Sequence, residues 1–110
     1  MRAAEQAERL FANAEAIRLL ERAVALVEAD RENADRIDLL YRHAAALDRV
    51  GRLADARVTA DRALAEMRDD VDPRVAGRLL TLLGDLTGVT DPDGALALTT
   101  EAVRRLEQVP

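Results

Sequence analysis

The sequence predicts an all-α fold of three stacked antiparallel helical hairpins, and three observations carry that expectation. Alanine, leucine, arginine and glutamate, all strong helix formers, dominate the chain, with 22 alanines and 17 leucines among 110 residues. The helix breakers are few and well placed, with Gly51, Pro73 and Pro92 at expected helix ends. A nine-residue pattern also recurs, from Ala16 to Val24, from Ala56 to Leu64 and from Ala95 to Val103, at spacings of 40 and 39 residues. A near-constant period of that size marks a stack of similar helical units.

Taken in order, helices are expected at about 3–11, 13–29, 34–50, 53–68, 73–86 and 92–107. Only Asn13 marks a break between the first two, so one continuous helix stays open as the alternative. In the second, Ile17, Leu20, Val24 and Val27 follow the helical period, with Ala16, Leu19 and Ala23 widening the face. Leu40, Ala44, Leu47 and Val50 carry the third, and Gly51 fits its C-terminus. Leu53, Ala56, Ala60, Ala63, Leu64 and Met67 carry the fourth. Asp72-Pro73 and Asp91-Pro92 open the fifth and sixth, each with a capping aspartate before a proline in the first turn. Leu79, Leu80, Leu82, Leu83 and Leu86 form the densest apolar patch, and Leu96, Ala97, Val103 and Leu106 line the last helix. Gly84, Gly88 and Gly94, among Asp85, Thr87, Thr90, Asp91 and Asp93, mark the stretch weakest in regular structure. The short connections force antiparallel neighbours.

Each copy of the repeat holds two alanines seven apart. On one helix face these let two backbones approach closely, while leucine and valine fill the layer behind. Stacking then joins the hairpins into one elongated core. A single domain is expected over residues 1–110, with repeats at about 1–32, 33–71 and 72–110.

The repeat resembles the tetratricopeptide family. Gly51-Arg52-Leu53-Ala54-Asp55-Ala56 is similar to that family's turn glycine, helix-opening apolar residue and small alanine of the second helix. Ala63 matches its other small position, and Leu40 and Leu47 match large apolar positions of the first helix. His43 stands in place of a leucine, Ala44 of a glycine, Ala60 of an aromatic and Arg68 of a proline. The longer period requires longer inter-repeat loops, around 29–33 and 69–72. The resemblance implies a right-handed solenoid fragment whose first helices line a concave face that holds a protein or peptide. On the middle first helix the matching outward positions are Asp38, Tyr41, Ala45, Asp48 and Arg49. The lysine- and asparagine-rich carboxylate clamp of some peptide-binding members is absent, since the chain has no lysine and only Asn13 and Asn33. Ala/Leu/Arg-rich repeats of this style look like those of large bacterial transcriptional regulators and signalling ATPases.

Tyr41 is the strongest single candidate, because an aromatic ring with a polar tip suits an interface. It also suits a gap between hairpins in the core. Asp38, Asp48 and Arg49 suit a charged partner, and equally a solvated helix surface.

The chemistry on offer is narrow. There is no cysteine and a single histidine, His43, which removes thiol catalysis, disulfides, cysteine-based zinc sites and multi-histidine metal sites. His43 lies near Arg42, Asp38 and Asp48, with no nucleophile–base pair around it, and reads as a packing or surface residue. Asp91-Pro92-Asp93-Gly94 opens like a calcium loop but lacks the later oxygen donors, so helix capping explains it. No glycine pattern cradles a phosphate, so no cofactor, metal or catalytic residue is expected. A net charge of −5 and scattered arginines speak against nucleic-acid binding. No apolar run spans a membrane and no secretory signal opens the chain, which leaves cytoplasmic as the default.

The expected function is a protein–protein interaction scaffold, as a regulatory or sensory segment of a larger bacterial regulator. Neither end of the sequence carries a conspicuous polar cap, which suits a piece of a longer array or one that self-associates. The second reading is a self-contained helical protein acting through homodimerisation or partner inhibition.

Overall fold

The structure, a computed structural model, describes residues 3–27, 35–68, 71–88 and 91–108. Among them are five helices: α1 (Ala3–Leu26), α2 (Arg36–Arg49), α3 (Leu53–Glu66), α4 (Pro73–Thr87) and α5 (Pro92–Leu106). Each helix packs on the next in sequence, and α2 also touches α4. The α4–α5 and α2–α3 contacts are the most extensive.

The described residues therefore form five helices where the sequence suggests six. The break at Asn13 is absent, and α1 runs unbroken for 24 residues, the alternative the sequence had left open. An asparagine inside a helix costs well under about 1 kcal/mol relative to alanine, too little to stop an alanine-rich segment that holds neither glycine nor proline. Glu15 and Arg18 add an ion pair of 2.8 Å along the same helix. Residues 3–11 are consequently the first turns of α1 and not half of a separate hairpin. The loop expected at 29–33 and residues 69–70 of the next one lie outside the described residues.

Helix ends follow local chemistry. The Asp72 carboxylate accepts from the Arg74 amide at 2.9 Å, and that of Asp91 from the Gly94 amide at 3.0 Å. Each fills an orphan donor at a helix start beside a proline. At the end of α2, Gly51 turns left-handed with φ +82°, its N–H donates to the Asp48 carbonyl and the Arg52 N–H donates to that of Leu47, both at 3.0 Å. That pair of bonds is a Schellman cap, and it reverses the chain into α3.

The larger core joins Val24 of α1, Ile37, Leu40 and Ala44 of α2, Ala60 and Ala63 of α3, and Leu79, Leu82 and Leu83 of α4. A smaller cluster holds Ile17, Ala46, Leu47 and Ala56. The repeated alanine pair is fully buried in the middle copy, Ala56 and Ala63, whereas Ala16, Ala23 and Ala95 are half-buried. Among the three copies the pair is thus most deeply buried in α3.

Gly84 sits inside α4, and its role there is spatial. A Cβ added to it would stand 3.0 Å from Thr99 Oγ1 and 3.4 Å from the Ala95 carbonyl oxygen of α5. One added to Gly77, two turns earlier, would stand 2.6 Å from Leu106 Cγ. The two glycines form a trough in α4 into which α5 settles.

The least expected element is Arg36, which is 1% exposed at the start of α2. Its Nε and Nη2 donate to the two carboxylate oxygens of Glu66 at 3.0 and 2.9 Å, and its Nη1 to the Val27 carbonyl at 3.2 Å. One guanidinium thereby ties the end of α1, the start of α2 and the end of α3.

Two stability predictions follow from these contacts. Glu66→Ala removes the two carboxylate bonds that hold the buried Arg36 guanidinium and is expected to lower the unfolding free energy by about 3 kcal/mol, read by urea titration of helicity. Gly51→Ala meets no atom within 4 Å, so its cost is backbone strain alone, roughly 1 kcal/mol by the same titration.

Candidate functional site

An open cleft of about 240 Å³ lies between α2 and α4, closed at one end by α5. Tyr41 forms its α2 side, Leu106 comes from α5, and Gly77, Arg78, Thr81, Leu82 and Asp85 form one face of α4. That face follows from the helical period, which brings positions three, four and seven apart onto one side. Leu82 is buried beneath it, while Arg78 and Asp85 are exposed above it.

Cleft polarity is unevenly satisfied. The Thr81 hydroxyl donates to the Gly77 carbonyl at 2.8 Å, so it is already engaged within α4. Arg78 and Asp85, seven residues apart, stand about 10.5 Å from each other along the helix axis. Neither forms an ion pair among the described residues. The result is an apolar floor with a cation at one end and an anion at the other.

Of the residues singled out from the sequence, Tyr41 alone lines this cleft. It also packs against the larger core, as does Ala45. Asp38 is half-buried and takes the Arg42 guanidinium at 3.0 Å, one turn along α2. Asp48 is half-buried near the C-terminal end of α2 and Arg49 is exposed beside it. The cleft residues Arg78, Thr81, Leu82 and Asp85 were missed, because the leucines of α4 read as core alone. The charged positions at i and i+7 flanking Leu82 were the available signal.

His43 lies between α1 and α2. Its side chain is 15% exposed, and its Nε2 stands 3.6 Å from a Glu21 carboxylate oxygen without a hydrogen bond. It faces α1 as a packing residue with an electrostatic neighbour. Among the described residues no group of histidine, aspartate and glutamate is arranged to hold a metal ion, and no helix is long and apolar enough to cross a membrane. The Asp91 segment caps α5, as its sequence suggests.

At the far end of α5, Glu101 accepts hydrogen bonds from Arg104 and Arg105. The Arg104 bond first, then that from Arg105, lower its carboxyl from 4.5 to about 2.

Fold and cleft define a class: a small all-α domain with five sequentially packed helices among its described residues, consistent with a role in protein–protein interaction. Compared with protein-family models, curated proteins and solved structures, the chain matches none.

The Glu101 cluster gives a pH prediction. A depressed folded-state carboxyl contributes stability that is present above pH 4.5 and is lost as pH falls through about 2. A carboxyl-carbon NMR titration is expected to give Glu101 a midpoint near 2, and Arg104→Ala is expected to raise it.

Proposed function

We propose that this chain is a non-enzymatic protein–protein interaction scaffold, a tetratricopeptide-like stack of hairpins that docks a protein or peptide segment against the cleft of α2 and α4. The single observation that carries this reading is the cleft itself, with an aromatic ring, an apolar floor and two unpaired opposite charges. An interface of that kind concentrates its affinity in a buried aromatic anchor rimmed by polar groups.

The hairpin reading draws on where helix ends meet. Arg36 at the start of α2 reaches Glu66 at the end of α3, and Gly77 near the start of α4 meets Leu106 at the end of α5. In this scheme α2 and α4 are the first helices of successive pairs, and α1 is the second helix of a preceding one. Asp38, Tyr41, Ala45, Asp48 and Arg49 then extend the docking surface along α2. A regulatory segment of a larger cytoplasmic bacterial regulator is the setting suggested by the Ala/Leu/Arg-rich repeat style.

Site-specific photo-crosslinking in cells tests the reading. A crosslinking side chain at position 41 or 78 is expected to capture a different protein, and one at Arg57 on α3 is not. Arg78→Glu, at an exposed position, is expected to reduce capture at position 41 about tenfold with helicity unchanged. Equal capture at all three positions, or none at any, removes the assignment.

A further inference from the structure

The cleft has a matching counterpart on the same chain. Along α1, Ile17 and Val24 are buried. At the helical period, Phe11, Glu15, Leu19, Arg22 and Leu26 fall on the opposite side. Phe11 is 67% exposed, Leu19 61% and Leu26 84%, so this side is a second apolar stripe facing solvent. Within it, Glu15, Leu19 and Arg22 stand at i, i+4 and i+7. Arg78, Leu82 and Asp85 of the cleft stand at the same spacing with the charges reversed.

We propose that a second copy of this chain docks α1 in the cleft, making a reciprocal two-fold dimer. Glu15 of one copy meets Arg78 of the other, Leu19 enters the space beside Tyr41 and Leu82, and Arg22 meets Asp85. Charge complementarity sets the direction, because only α1 parallel to α4 pairs both ends. Volume permits it: about 150 Å³ accommodates a benzene ring, and the cleft offers about 240 Å³. The docking element is already helical, so little ordering entropy opposes binding. The contact is between copies, since α1 lies against α2 by the face that holds Ile17 and Val24 and turns the stripe away from its own cleft. Reciprocal exchange of the same two surfaces closes the assembly at two.

The proposal rests on the cleft being a docking surface, and it makes self-association a competitor of any other partner for that surface. Sedimentation velocity over a concentration series tests it on the intact chain. The wild-type chain is expected to form a dimer, and Asp85→Arg or Arg22→Asp alone is expected to weaken it about tenfold or more. The two substitutions combined restore the pairing with charges exchanged, and are expected to bring dimerisation back to near the wild-type level. All three variants alter exposed positions, and circular dichroism checks that their helicity is retained. A monomer up to about 1 mM overturns the proposal, as does a dimer indifferent to both single substitutions or one the combination does not restore. If these outcomes arise while position 41 still crosslinks to a different protein, the dimer alone is lost and the scaffold stands. A dimer that obeys the charge exchange, with no other protein captured, removes the scaffold and keeps the dimer.

Discussion

The Arg36 clip is the constraint on which the arrangement of the first three helices depends. A buried guanidinium is costly unless its donors are used, and here two go to one carboxylate and a third to a backbone carbonyl. Arg36 is also the first residue of α2, where the helix dipole disfavours a cation. Its position is therefore compensated by what it binds: the carbonyl of Val27 just beyond α1, and the carboxylate of Glu66, the last residue of α3. A lysine would offer a point charge in place of the planar fork, and would lose the paired geometry that sets two helix ends at fixed separation. Because α2 also meets α4, fixing α2 fixes the Tyr41 side of the cleft.

Small residues set the other side. Gly77 and Gly84 let α5 sink into α4, bringing Leu106 over the start of α4, where it closes the end of the cleft. The alanines of α2 and α3 play the matching part: Ala44, Ala56, Ala60 and Ala63 are fully buried and bring those two helices together. The scarcity of large aromatic side chains is thus one side of a close-packed design. Where backbones approach this nearly, bulk in the interface would force them apart. The cleft exists because the single tyrosine stands where α2 and α4 are not drawn together in this way.

What the sequence made legible divides along the range of the interaction. Pro73, Pro92 and Gly51 announced their helix ends because capping is decided within four or five residues, and the structure places each cap as expected. Asn13 misled for the same local reason: it is a frequent cap residue, but here no partner or breaker accompanied it. Arg36 was invisible, because its partner lies 30 residues away and both look like ordinary surface charges in a helix. The cleft was half visible. Tyr41 stood out by chemistry, whereas Arg78 and Asp85 gain meaning only when α4 is set beside α2. The alanine repeat showed that helices pack closely but not which helix ends meet.

Sequential packing also explains where the apolar surface remains. Helix α1 touches α2 alone and α5 touches α4 alone, while the three between have two or more neighbours. An amphipathic helix with one neighbour buries one stripe, so any second stripe stays in water. Phe11, Leu19 and Leu26 of α1 and Leu96 and Val103 of α5 are exposed residues of that kind. The radius of gyration, 14.9 Å against about 13 Å expected for a compact domain of this length, reflects the same layered build. Exposed leucines at isolated positions need no partner, but a stripe aligned along one helix is a surface that association can bury. On α1 that stripe alternates with charges in register, and on α5 it runs past Thr99 and Thr100, whose hydroxyls are already spent on the carbonyls of Ala95 and Leu96. The two outer helices are therefore unequal. Only α1 carries the charge order that gives an apolar stripe a direction, which is what separates a specific contact from mere stickiness.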